Sequence, residues 1–206
     1  MATATTTGYT ARTFSHLKGL KGISDAQLEE HFKLYQGYVK KTNEIQMKLE
    51  SAEKADANGV YSMYGELKRQ ETFAVNGMKL HEVYFNELGG EGMPSGELVS
   101  MIERDFGSID VWKAEMIATG MSSRGWAILA FDLKDNRLHI YGADAQNVGA
   151  VWAAIPVITL DVYEHAYFMD YGTSRKPYID AFFQNLNWGF ANGIIKEFEL
   201  SQKNPK

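Results

Sequence analysis

No cysteine occurs among the 206 residues. Disulfides, thiol nucleophiles and thiolate metal sites are therefore excluded, and cysteine usage gives no reading of the compartment. Apolar runs long enough for a bilayer are also missing: the longest, Gly149 to Leu160, is too short and contains Pro156. Nor is there a basic excess. The formal net charge is −5, so neither nucleic acid nor an anionic membrane is expected as a partner. The opening MATATTTGYTARTF has no charged start, apolar segment or cleavage site. It reads as a flexible arm over residues 1–20, not as a secretory signal. What is present is a chain 45% hydrophobic, enough for a substantial core. A cytoplasmic globular protein is expected.

The pattern along the chain predicts an α+β fold. Ser24 followed by Gln27 has the form of a capping box, each side chain closing a backbone N–H at a helix start. A periodic segment runs on to about Lys54, Asp56-Ala57-Asn58-Gly59 marks a turn, and a second helix continues to about Leu88, where Gly89-Gly90 ends it. This is a helical hairpin, assigned to residues 21–92. Residues 93–206 are expected to form an α/β domain. Helical segments near Ser95–Asp105 and Ser108–Met121 come first, and a β-hairpin follows from Trp126–Leu133 and Arg137–Gly142 around Lys134-Asp135-Asn136. Pro156–Leu160 supplies a third strand, giving a small antiparallel sheet flanked by helices, and more helix runs from Pro177 to about Leu200.

Five histidines are available: His16, His31, His81, His139 and His165. Asp161 lies four residues before His165, and such a pair can converge on one ion when it shares a helical face about 6 Å apart. Three imidazoles and one carboxylate suit manganese, iron or zinc. Taken singly, Asp161 and His165 fit a surface ion pair, and His31 or His81 a packed helical histidine. His16 and His139 receive no role. The joint pattern raises the odds of a site.

Thr159–Phe168, T-L-D-V-Y-E-H-A-Y-F, resembles the D-V-W-E-H-A-Y-Y signature of the iron/manganese superoxide dismutases. Glu103–Glu115, Arg124–Leu129, Arg175–Phe182 and the N-L-N-W ending at Trp188 resemble that family's other blocks in order and spacing. The resemblance covers about Ile23 to about Phe198. It implies a superoxide dismutase, an antioxidant oxidoreductase that cycles one manganese or iron ion per subunit and acts as a homodimer or homotetramer. The implied ligands are His31, His81, Asp161 and His165. Tyr38, two helical turns after His31, becomes the channel tyrosine, and Trp126, Phe85 and Tyr163 wall the pocket. Glu164 and Phe168 fall at the dimer contact. In this family manganese-type members leave a glycine four residues before the second ligand and bring a glutamine from the sheet side. Gly77 and Gln146 match that arrangement, so manganese is favoured, with Gln146 tuning the metal.

Several positions depart from the family pattern. Seven residues separate His31 from Tyr38 where eight are usual, and a different placement of the gap would put Glu30 at the ligand position; counting from the helix start at Ile23 selects His31. Leu34 and Tyr35 stand where a histidine is usual, Phe168 replaces a tyrosine, Phe85 and Tyr163 replace tryptophans, and Lys176 replaces an arginine. These changes bear on proton delivery and channel electrostatics and leave the ligands intact. A ferritin-like di-iron site needs Glu-x-x-His, which none of the five histidines provides. The remaining alternative is a non-catalytic structural or interaction protein on the same fold.

Overall fold

A computed structural model describes residues 8–206. Its first two helices, α1 (Asp25–Ser51) and α2 (Met63–Asn86), lie side by side as an antiparallel hairpin. Ser24 Oγ accepts from Gln27 N and Ser62 Oγ from Gly65 N, so each helix opens on a serine that satisfies one of its free N–H groups. The reciprocal half of the expected capping box is absent. Asp170 takes the Ser24 N–H, and the Gln27 side chain crosses the fold to bond His165 O at 2.6 Å and Met169 N at 3.1 Å.

Helices α3 (Glu97–Phe106) and α4 (Ile109–Ser122) lead into the sheet, formed by β1 (Trp126–Asp132), β2 (Arg137–Ala143) and β3 (Ala154–Asp161). The strands are antiparallel in the order β2-β1-β3. The central strand W-A-I-L-A-F-D is buried along its length up to Asp132, which is why it reads as a continuous apolar run and not an alternating one. Its register places Trp126 directly across from Asp161, at the end of the sheet where the site lies. A 3₁₀ turn (Glu164–Ala166) and a short α5 (Phe168–Tyr171) follow, then α6 (Arg175–Gln184) and α7 (Trp188–Glu197). With seven helices and one small sheet among the described residues, the α+β fold class holds. A single apolar core runs from Ile23 to Leu200 and joins the helical hairpin to the rest.

Two expectations need correction. Residues 8–20, part of the arm read as flexible, are tied to the hairpin: Tyr9 and Asn43 exchange two hydrogen bonds of 2.7 Å, and Arg12 N donates to Tyr35 Oη at 2.9 Å. Residues 1–7 of that arm lie outside the described residues. The last helical stretch, read as one, is two helices broken at Asn185–Asn187. The break is used as a docking strip, because Asn185 O and Leu186 O accept from Gly90 N and Gly92 N, and Asn187 N donates to Glu87 O. A Cβ on Gly90 would lie 2.5 Å from both Asn187 Cα and Leu186 O. Backbone cannot yield as a flexible side chain can, so Gly90→Ala should lose about 1–3 kcal/mol of stability by overpacking, read from its denaturant midpoint.

Glu87 is wholly buried beside β3, where Thr159 N donates to both its carboxyl oxygens, at 2.9 and 3.0 Å. Burial pushes its pKa well above the ordinary value of 4.5, making it a weaker acid, and the bonds from Thr159 offset this only in part. The titratable side chains around it are Tyr84 and Tyr178, which titrate high. Above pH 4.5 the unfolded chain therefore releases a proton that the folded protein keeps. The folded state then binds more protons, and stability falls as pH rises. Glu87→Gln should remove a slope of at most about 1.4 kcal/mol per pH unit. Thermal unfolding of the two metal-free proteins from pH 4 upward would show the gap widening in favour of Gln; parallel curves would refute it.

Candidate metal centre

His31 comes from the first turns of α1, His81 from the last turns of α2, Asp161 from the end of β3 and His165 from the 3₁₀ turn that follows. One donor atom from each lies within 4.8 Å of every other. Asp161 Oδ2 is the hub, with Nε2 of His31 at 3.2 Å, of His81 at 3.4 Å and of His165 at 3.2 Å. His31, His81 and Asp161 have side chains 0–1% exposed, whereas 27% of the His165 side chain is open. Asp161 and His165 meet across a strand end and a turn, not along a helical face. Glu30, the other candidate for the first position, points outward and pairs with Lys33 at 2.7 Å.

Hydrogen bonds fix the orientation of these groups. His81 Nδ1 is 2.6 Å from Gly77 O, which can only accept, so Nδ1 carries the hydrogen and Nε2 presents a lone pair. That lone pair faces the Asp161 carboxylate without a hydrogen-bond partner. Burial, with His31 beside it, lowers the His81 imidazole to about 3, so it is neutral at ordinary pH. Burial also lowers His31, although its bond to Asp161 opposes this. Burial would raise the Asp161 carboxyl, but His165 and His31 outweigh it and hold the group below the usual carboxylate range. Asp161 Oδ1 accepts from Tyr163 N at 2.9 Å, and Tyr178 Oη donates to Asp161 O at 2.7 Å. An ionised carboxylate facing three imidazole nitrogens, the His81 lone pair among them, is a donor set for a cation, and nitrogen with oxygen donors fit manganese or iron.

Aromatic rings wall the site. Phe85 lies 5.0 Å from the His31 ring, Trp126 stands 5.1 Å from His81, and Tyr163 stacks on His165 at 5.1 Å. Gln146 sits in the connection after β2, with Oε1 accepting from Trp126 Nε1 at 2.7 Å and Nε2 donating to Tyr38 Oη at 3.2 Å. The Tyr38 ring is 5.2 Å from His81 and borders a groove between α1 and α2 that Lys41 also lines. The space beside Gly77 is occupied by Tyr38. The nearest atoms to a Cβ there are Cδ1, Cγ and Cε1 of Tyr38, at 2.8, 2.9 and 3.0 Å. The glycine makes room for the Tyr38 ring, and its neighbour Asn76 is the residue that reaches Gln146, donating to its carbonyl at 2.9 Å.

A family model for the C-terminal domain of iron/manganese superoxide dismutases matches residues 94–193. "Superoxide dismutase [Fe]" of Aquifex pyrophilus is 48% identical over 196 residues, covering 91% of both chains. The chain belongs to the iron/manganese superoxide dismutase family. "Superoxide dismutase [Fe]" of Cupriavidus metallidurans is 41% identical over 173 residues, covering 82% of this chain and 86% of that one. "Superoxide dismutase [Mn] 2" of Haloferax volcanii is 36% identical over 169 residues, covering 81% and 83%. Relatives named for either metal therefore align over most of this chain.

The outer positions stand apart from the site. His16 bonds Phe85 O, and His139 bonds Asp135 at the tip of the β-hairpin. Glu164 and Phe168 face solvent in the single chain. The sequence reading assigned no site role to four residues hydrogen-bonded to the elements that carry the site: Gln27, Asn76, Glu87 and Tyr178. A glutamine at a helix start looks like a cap, and a glutamate at a helix end looks like solvated surface. Only P-Y-I-D, whose family block includes Tyr178, carried a signal.

Proposed function

We infer that this family member is a superoxide dismutase, converting two superoxide ions and two protons to dioxygen and hydrogen peroxide with one manganese or iron ion per subunit. His31, His81, Asp161 and His165 would hold the ion. The observation that carries this is the buried convergence of three imidazoles on an ionised carboxylate, with the His81 lone pair aimed inward. A manganese or iron ion held by these four residues would supply the one-electron redox chemistry that the reaction needs. Neutral imidazoles and one carboxylate contribute a single negative charge, so the centre stays positive and draws a small anion even though the chain carries −5.

Tyr38 and Gln146 handle the proton. Burial raises the Tyr38 phenol, against the opposing effect of its bond from Gln146, so its hydroxyl stays protonated at neutral pH. Because Tyr38 Oη accepts from Gln146, its own hydrogen is free to be donated to a reacting oxygen. Trp126 fixes the Gln146 amide orientation from the other side. Phe85, Trp126 and Tyr163 exclude bulky molecules. Manganese is the favoured metal, on Gln146 together with a glycine at position 77.

The proposal includes a homodimer through the face carrying Glu164 and Phe168. Phe168 and Met169 are 51% and 57% exposed, and His165 is the one proposed ligand left partly open, which a second copy would cover. Glu164 of the partner subunit would then approach His165. Among the described residues no helix is long and apolar enough to cross a membrane. A cytoplasmic location belongs to the same proposal and is tested by cell fractionation.

Bound manganese and iron are measured in the purified protein, and superoxide decay is followed for each loaded form. Activity tracking manganese and absent from His81→Ala is expected. Activity with iron alone would replace the metal assignment. A fully loaded, inactive protein would leave a non-catalytic scaffold.

A further inference from the structure

Glu87 carries a buried carboxyl that the reaction does not use. It closes α2 six residues after His81, and it bonds Thr159, two residues before Asp161 on β3. Thr159 N points away from the sheet, towards Glu87, at the free edge of a three-stranded sheet whose order leaves β3 outermost. The Thr159 hydroxyl lies 3.0 Å from Glu87 Oε1 and 3.4 Å from Leu80 O, the carbonyl just before His81. One carboxyl thus ties the helix carrying one proposed ligand to the strand carrying another.

We propose that Glu87 is a positioning residue for the metal centre, bracing the His81 helix against the Asp161 strand through Thr159. This rests on the proposed ligand set. Burial favours the neutral form, and the hydrogen bonds accommodate it. A hydroxyl has one hydrogen, and if Thr159 gives it to Leu80 O, the contact with Glu87 needs a hydrogen from the carboxyl. The other carboxyl oxygen remains to accept Thr159 N–H. Glutamine reproduces both roles, its NH₂ donating to the hydroxyl and its carbonyl accepting the amide. Leucine has similar bulk and does neither, leaving Thr159 N–H buried without a partner.

Wild-type, E87Q and E87L proteins are loaded with manganese(II) alone, and separately with iron. Release to excess chelator is timed well below the unfolding temperature. The electron paramagnetic resonance spectrum of each loaded form reports ligand geometry independently of overall stability. E87Q should match wild type within about twofold, while E87L should release metal about 10–100-fold faster with an altered spectrum, the range usual for residues that orient ligands. Equal rates and spectra in E87L and wild type would overturn the role. If E87L does not fold, T159V removes the hydroxyl alone and should release metal several-fold faster; a wild-type rate there would also overturn it. Failure of the wild-type protein to bind either metal would sink the proposed centre and this role together, whereas equal rates sink only the role of Glu87.

Discussion

Asp161→Asn protein should fold normally, retain no metal and leave superoxide decay at its uncatalysed rate. The Tyr163 N–H donates to Oδ1, so an asparagine at this position keeps its carbonyl there and turns its NH₂ towards the three imidazoles. The amide would then meet Nε2 atoms now 3.2–3.4 Å from Asp161 Oδ2. An amide hydrogen facing the His81 lone pair is a good hydrogen bond and fills the place a cation would take. The same change removes the site's one anionic donor. Metal affinity should fall by more than about 100-fold, beyond what substitution of orienting residues usually costs. Metal analysis with the superoxide assay checks both losses, and far-ultraviolet circular dichroism checks the fold. A variant that kept its metal and its activity would mean that Asp161 is not a ligand.

Gly77→Ala should cost both stability and turnover while leaving the metal in place. Alanine favours a helix over glycine by about 1 kcal/mol, so on a surface this change would stabilise. Here the new methyl would sit 2.8–3.0 Å from three ring atoms of Tyr38. The ring has little room to move, since Phe73 packs 5.9 Å away, His81 5.2 Å away, and Gln146 bonds its hydroxyl. Overpacking of about 1–3 kcal/mol should exceed the helical gain. Displacing the tyrosine should also remove a positioned proton donor, a loss of about 10²-fold or more in turnover. Rate and unfolding midpoint, measured at confirmed metal occupancy, test the two effects separately. An alanine variant that is both more stable and fully active would show that Tyr38 does not need the space that Gly77 leaves.

Local signals in the sequence carried much of the fold and pointed to the four proposed ligands. The helical hairpin was legible because period-3.6 patterning, the Ser24 N-cap and the Gly89-Gly90 stop are encoded within a few residues of where they act. The central strand was legible because burial on both faces leaves an unbroken apolar run. Asp161 and His165 could be named because D-V-Y-E-H lies in a recognisable block, while His31 and His81 were implied by the family resemblance, His31 by counting from the helix start at Ile23.

Long-range pairing decided the rest. The sequence selected His31 over Glu30 only by counting from Ile23, and the structure turns that helical face, and not the one carrying Glu30, towards Asp161. The split of the last helix arose because backbone groups at positions 90 and 92 claim the carbonyls of Asn185 and Leu186. Gly77 was noticed in the sequence, but its purpose lay with Tyr38 on another helix. Gln27 read only as half of a capping box, and Glu87 was not singled out, for the same reason: their partners, at His165 and Thr159, are 138 and 72 residues away. A sequence states which side chains can bond. Which buried donors and acceptors do bond is settled only when packing removes water from them, because only then does an unmade hydrogen bond carry its full cost.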